Sequence, residues 1–376
     1  MDSEEVTLFL RPKTLRPRAE HGSEITRRLA MNHVGRMIAA AMQDRTIRLF
    51  DVQSGEEIQR FVDSYLCTSV AFSPRGDIVA TGGVDRVIKL WDIRTAERLA
   101  TLEGHTYPIL SLSFSPDGDR LVSGSGDTTL MIWDIDSRNQ LCQMKGHSLY
   151  VVTVQWDPQR DRIVSGGVDG YIGVWNPNTG ERVDWIQEHR TAVHAVRFTS
   201  DGSVLASGSS DRTILIWDAT GDSLRPQRRL TDHTGEVRSV AFSSDGRYMA
   251  SGSSDKDLFV WSTDGYVRSG ESTTYSEVDG IEWLPDKHAF ITADGTGAII
   301  RWDVQVLESV LAPFKNLLSE IEADTTHARH DELVQKFNEL VSQHDPEVLQ
   351  DKRVFYVMWQ CKRGLGLLKG KPRRTL

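Results

Sequence analysis

The sequence predicts an all-β protein, a seven-bladed β-propeller, with a C-terminal helical extension. Three observations predict it. A short string ending in an aromatic and a small polar residue recurs seven times, the recurrences are evenly spaced, and helical periodicity is confined to the residues after the last of them. The strings are IRLFD (Phe50, Asp51), IKLWD (Trp91, Asp92), LMIWD (Trp133, Asp134), IGVWN (Trp175, Asn176), ILIWD (Trp217, Asp218), LFVWS (Trp261, Ser262) and IIRWD (Trp302, Asp303). Their aromatics lie 41, 42, 42, 42, 44 and 41 residues apart. A fixed period of this size marks a repeat architecture.

Each period reads as strands. Runs such as ILSLSF, RLVSGS and LMIWDI alternate or are apolar, and SPDG, SDG and TG punctuate them. SPDG at 115–118 and SPRG at 73–76 place Pro second and Gly fourth, which suits a tight turn between strands. Four short strands fit in such a period, and that is one propeller blade.

Four periods also share four residues at identical spacing. They are His105, Ser123, Asp127 and Trp133; His147, Ser165, Asp169 and Trp175; His189, Ser207, Asp211 and Trp217; and His233, Ser251, Asp255 and Trp261. With these residues the chain resembles the WD-repeat family over about residues 20–303. The resemblance implies that each Asp ties the His-bearing loop to its blade, with Ser and Trp completing the network. A buried carboxylate needs such donors. Three periods depart from the pattern. The first has Phe50, Ala40 and an out-of-register His21; the second has Asp63 at the His position beside Thr81, Asp85 and Trp91; the seventh has Thr274, Thr292, Thr296 and Trp302. These adjoin around a ring, so the arc of blades seven, one and two is expected to be the more deformable. The family's arrangement also leaves blade seven short of an outer strand. Val6–Leu10, VTLFL, is expected to supply it, so that an N-terminal strand closes the ring.

The domains expected are therefore residues 1–303 for the propeller and 304–376 for the extension. In the latter, Val304–Glu322 has apolar residues at helical spacing, with Pro313 as an expected kink or break. Ala328–Gln343 and Pro346–Arg363 read as two further helices. Residues 304–350 hold nine acids and three bases; residues 351–376 hold one acid and eight bases. The basic end, Lys362, Arg363, Lys369, Lys371, Arg373 and Arg374, is either a solvated end on a helical cap or a docking element for an acidic partner or RNA.

Composition narrows the functions. The 376 residues are 39% hydrophobic and 26% charged, with a net charge of −9. That balance opposes nucleic-acid binding over the whole surface, though not through a local basic patch. Cys67, Cys142 and Cys361 form no CxxC and read as ordinary reduced thiols. The N-terminal MDSEEVTLFLRPK reads as neither a secretory nor a transit signal, and no apolar stretch is long enough for a bilayer. A cytoplasmic or nuclear location is expected by elimination. The recurrence of His, Ser and Asp is not a catalytic triad, because a catalytic site occurs once and this set occurs four times. GSGDTT at 124–129 opens no helix, as phosphate cradling requires. No cofactor, metal or small-molecule substrate is expected.

The resemblance also implies where a partner would sit. Residues two and five after each His position lie near the mouth of the ring's top face. The first series is Glu24, Tyr65, Tyr107, Leu149, Thr191, Gly235 and Ser276; the second is Arg27, Thr68, Leu110, Val152, His194, Arg238 and Asp279. Val84 and Val168 precede the Asp positions of blades two and four. Tyr65, Val84, Tyr107, Leu110, Leu149, Val152 and Val168 thus form a candidate partner-binding patch, against polar equivalents elsewhere; alternatively they are strand residues turned into the core. The function expected is a protein–protein interaction scaffold, a non-catalytic subunit of a multiprotein complex that binds other proteins or peptides. The alternative is a subunit of an RNA-processing, ribosome-biogenesis or chromatin-associated assembly that touches nucleic acid through the basic tail.

Overall fold

The computed structural model describes residues 8–16, 26–32, 36–285, 289–323 and 330–343, with residues 349, 354, 357–358, 360–362 and 365 beyond them. The described residues form seven four-stranded sheets and two long helices. Blade one spans residues 26–62, blade two 67–103, blade three 109–145, blade four 151–186, blade five 193–230 and blade six 237–273. Blade seven consists of Val278–Trp283, Ala289–Asp294 and Ile299–Val306, and its outer strand is Leu8–Arg16. The N-terminal strand therefore closes the ring. It lies further along the chain than expected: it runs through Pro12 to Arg16, and Val6 and Thr7 lie outside the described residues. Pro is tolerated in such an outermost strand, where it removes no ladder bond. Lys13 Nζ donates to the Gln53 carbonyl of blade one at 2.9 Å.

The core lies between blades. One apolar cluster joins Ala80, Leu90 and Leu102 of blade two to Leu112, Leu121 and Trp133 of blade three; others pair blades three with four, four with five, five with six, seven with one and one with two. This explains the burial of every residue after the first in strands such as Met37–Met42, whose two faces both meet neighbours. It also explains the glycine of the second strand. A Cβ on Gly124 would stand 2.8 Å from Val151 of blade four, and one on Gly208 2.7 Å from Val237 of blade six. The next blade's inner strand fills that space. On the face of the SPDG-type turns, polar staples also link successive blades. Arg75 pairs with Asp119, Arg120 Nη2 donates to Asp161 at 3.0 Å, and Arg162 Nη2 donates to the Ala219 carbonyl at 2.5 Å. Ser200 Oγ then reaches the Ser244 carbonyl and Ser244 Oγ the Pro285 carbonyl.

Contacts divide the chain into two compact units, Pro12–Trp302 and Met1–Arg11 with Asp303–Leu376. In the second, helix α1 is Leu307–Ala323 and helix α2 is His330–Gln343. The strand of blade seven persists to Val306, so α1 begins three residues later than its apolar periodicity suggests. It continues through Pro313 without interruption, against the expected break. Phe314, Leu317 and Ile321 of α1 bury against Leu333 and Phe337 of α2 and against Val354, Met358 and Cys361. Residues 328–329 and most of the third expected helix lie outside the described residues.

Candidate functional site

The four-residue sets come together as four copies of one chain of hydrogen bonds. In blade three, Trp133 Nε1 donates to Ser123 Oγ at 2.9 Å, Ser123 Oγ meets His105 Nε2 at 2.7 Å, and His105 Nδ1 meets an Asp127 oxygen at 2.8 Å. The amide of Thr106, next to the histidine, donates to the same carboxylate. The chain is saturated when the imidazole is neutral with its proton on Nδ1. Blades four, five and six repeat it, with His–Asp distances of 3.0, 3.0 and 3.1 Å. The His rings are buried, so the sets offer no nucleophile to solvent. Burial pushes the Asp127 carboxyl up, but bonds from His105, Thr129 and the Thr106 amide outweigh it and hold it well below the usual range. Asp211 is held down in the same way.

Two of the departing networks are rebuilt rather than incomplete. In blade two, Lys89 Nζ lies 2.5 and 2.7 Å from the two Asp63 oxygens and also pairs with Asp85. All three side chains are buried. Burial opposes the ammonium charge, but the bonds to Asp63 and Asp85 prevail and raise the lysine's pKa. In blade one, Arg48 pairs with Asp44, and its Nε donates to Thr46 Oγ1 at 3.0 Å. In blade seven, Trp302 Nε1 donates to Thr292 Oγ1, and Asp294 accepts from the Thr296 amide at 2.9 Å. His21 lies outside the described residues.

These networks fix the loops that frame the mouth of the channel. The mouth is a cavity of about 630 Å³ lined by Thr68, Leu110, Val152, His194, Arg238 and Asp279, with Glu236, Ser276, Glu277 and Gly295. The first six belong to the second series. Their common placement has a backbone cause: in every blade the inner strand slips register by one residue at that position, between Ile109 and Ser111 for Leu110, and between Val237 and Ser239 for Arg238. The same slip occurs at Thr68, Val152, His194 and Asp279, and at Arg27, whose side chain is not among those described. A bulged residue is unpaired, so its side chain can be aimed out of the ladder. Among the described residues the mouth is therefore built from six bulges.

The mouth has two sides. On one, Arg238 pairs with Glu277, lies 2.9 Å from Asp279 and approaches Glu236 at 3.6 Å. His194 Nε2 meets Ser210 Oγ at 2.6 Å. On the other stand Leu110 and Val152, both half-buried. Beyond them Tyr65, Val84, Tyr107 and Leu149 are exposed, at 53%, 41%, 50% and 48%. They sit on loops between strands, not in the core. Val168 is half-buried on the blade-four turn. Tyr150, three residues after His147, falls outside both series but adds to the patch: its ring centroid lies 5.8 Å from that of Tyr107. Tyr275 of blade seven is also exposed, so aromatics on this face are not confined to blades two to four. Glu24 lies outside the described residues.

With this geometry in view, a family comparison decides the class. The profile described as WD domain, G-beta repeat matches residues 55–92, 96–134, 138–176, 180–218 and 224–262, just over half of the chain. The chain belongs to the WD40 family. No curated protein matches it. WD40 propellers commonly serve as protein-interaction scaffolds. The profile stops short of blade seven and of the first strands of blade one, where the His-centred set is absent. Among the described residues of this WD40 protein no group of His, Cys, Asp and Glu could hold a metal ion. No described helix is long and apolar enough to cross a membrane. Of the basic tail, Lys362 is described, with its ammonium 5.7 Å from the Phe337 ring centroid. Arg363, Lys369, Lys371, Arg373 and Arg374 lie outside the described residues.

Proposed function

We propose that this WD40 protein is a non-catalytic interaction scaffold whose protein partner docks on the face of the His-bearing loops, over blades two to four. The observation that carries the reading is the exposed group of Tyr65, Tyr107, Leu149 and Tyr150 beside the half-buried Leu110 and Val152. Exposed apolar residues scattered singly need no explanation, but a contiguous patch on a rigid frame does. Tyrosine suits a docking anchor because it buries a large area at low entropic cost and keeps a polar tip. The buried networks make the frame rigid, since each loop is tied to its blade through a carboxylate that accepts several donors.

The test is a double substitution, Tyr65→Ala with Tyr107→Ala, in the full chain. Partners are first identified by affinity isolation and mass spectrometry, and then titrated calorimetrically against the native and altered proteins. If both tyrosines are anchors, the loss is about 2–4 kcal/mol. Thr191→Ala in blade five is the silent control. Undiminished affinity of every identified partner removes blades two to four as the docking face.

A further inference from the structure

We propose that Lys89 is a positioning residue for this face, holding the blade-two loop and the Tyr65 ring through an ion triad that replaces the His–Asp pair of blades three to six. The proposal rests on the docking reading for its functional meaning, though not for its test.

The replacement follows from one strand position. Two residues before the Trp of each motif stand Met131, Gly173, Leu215 and Phe259 in the blades that carry the histidine. In two of the three blades that lack it the same position holds Arg48 and Lys89; in the seventh it holds Ile300. In blade two the lysine makes to the turn aspartate the contact that His105 makes in blade three. It binds Asp63 on the loop and Asp85 on the turn at once, with the three side chains 7%, 8% and 9% exposed.

The cation also has an outward neighbour. The Tyr65 ring centroid lies 5.7 Å from Lys89 Nζ, and the Tyr65 amide donates to Asp63 Oδ1 at 3.3 Å. Loop, ring and strand thus share one ammonium. The equivalent Tyr107 is held differently, by ring contact with Tyr150 and by close packing on Gly126. An exposed aromatic that docks must give up rotamer freedom on binding. A ring already attracted to a cation beneath it has lost part of that freedom in the free protein. Tyr65 is in this sense prepared by a residue whose side chain is itself buried.

The test reads the ring itself, in the full chain labelled with 3-fluorotyrosine. The Tyr65 fluorine line is assigned by its loss in Tyr65→Phe. Removing the lysine alone strands two buried carboxylates, so the informative variant is Asp63→His with Lys89→Met, which recreates the His and Met of blade three with Thr81 in the place of Ser123. It is expected to melt close to the native protein, with the Tyr65 line shifted and the Tyr107 and Tyr150 lines in place. A Tyr65 line that stays where it was overturns the proposal, because any folded loop then suffices. Lys89→Arg keeps a cation on a strand position that accepts arginine in blade one, and should leave the line near its native place; a shift as large as in the double variant also overturns it. If the double variant fails to fold, the native chain still decides. With 15N-labelled lysine, cross-relaxation between the Lys89 ammonium and the Tyr65 ring is expected, and its absence is equally fatal. None of these measurements needs a partner. Lost docking with an intact fluorine response, or the reverse, therefore separates failure of the docking reading from failure of this one.

Discussion

The Lys89 ammonium lies 2.5 Å from the Asp63 carboxylate, where blades three to six pair a histidine with aspartate. The exchange preserves what the loop requires, a donor that spans loop and turn, but changes its physics. The histidine networks bury one carboxylate each. The lysine network buries two carboxylates around one ammonium. Such an arrangement is held by mutual pairing and fails when one member is removed. Lys89→Met should therefore destabilise the protein by about 3–5 kcal/mol, and adding Asp63→His should restore most of it. Denaturant midpoints of the native, single and double variants check this. A single variant as stable as the native chain would show that the two carboxylates find other donors.

Much of the fold was legible because the repeat states it several times over. The His, Ser, Asp and Trp residues of blades three to six are side-chain types at fixed spacing, and their bonds run as the pattern implies. The compensation at Lys89 was equally present in the sequence, in the coincidence of Arg48 and Lys89 with two of the three missing histidines, but it shows only when a position is compared across all seven repeats. The staple from Arg162 to the Ala219 carbonyl left no such trace, because its acceptor is a backbone group that any residue supplies. The bulges that aim Leu110 and Val152 at the mouth were hidden for a related reason. A one-residue slip leaves no mark on an apolar strand, and ordinary alternation would have placed these side chains ambiguously.

The carboxylate of Asp169 accepts from His147 Nδ1 and from the amides of Ser148 and Tyr171, while Ser165 and Trp175 reach it only through the histidine. Asp169→Ala should leave the imidazole proton and two amides without their acceptor and lower stability by about 2–4 kcal/mol. Asp169→Asn keeps one acceptor oxygen and should cost less. Thermal melts of both variants give the comparison, and equal losses would mean that charge rather than acceptance matters.

Stability should fall with acid in two stages. The Asp127, Asp169, Asp211 and Asp255 carboxyls titrate below their ordinary 3.8 in the fold, so their contribution is complete above about pH 4 and is lost as pH falls through the lower folded values. His233 is pushed below its ordinary 6.5 by burial, against the pull of Asp255. The open chain then takes up the proton first, so its share of stability begins to decline below about pH 6.5. Melting midpoints measured from pH 8 to pH 3 should decline gently below pH 6.5 and steeply below pH 4. A midpoint that rises between pH 7 and pH 5 would contradict the assignment for His233.

The outer strand Leu8–Arg16 covers the edge of Ile299–Val306. Deleting residues 1–16 should leave that edge unpaired and also remove the Lys13 bond to blade one. An open edge pairs readily with another chain. The shortened protein should self-associate at concentrations where the native chain does not, and should melt lower. Sedimentation velocity over a concentration series distinguishes the two, and identical profiles would mean that the strand is dispensable for closure.

The docking face can also be disturbed without altering any of its own side chains. Gly126 has an ordinary backbone conformation, and the same position carries Val84, Val168, Ser210 and Ser254 in other blades, so an alanine fits the turn. Its Cβ would stand 2.7 Å from Cδ1 of Tyr107. The ring, half exposed, is the part free to move, and moving it breaks its contact with Tyr150. The His105–Asp127 network lies beneath and loses no bond. Gly126→Ala should therefore change stability by less than about 0.5 kcal/mol while weakening the partner by about 1–2 kcal/mol, if Tyr107 acts as an anchor in its native pose. Calorimetric titration of the identified partner, with Thr191→Ala as the control on blade five, makes the comparison. Full affinity in Gly126→Ala together with lost affinity in Tyr107→Ala would show that the ring binds from more than one pose. Full affinity in both would remove Tyr107 from the interface.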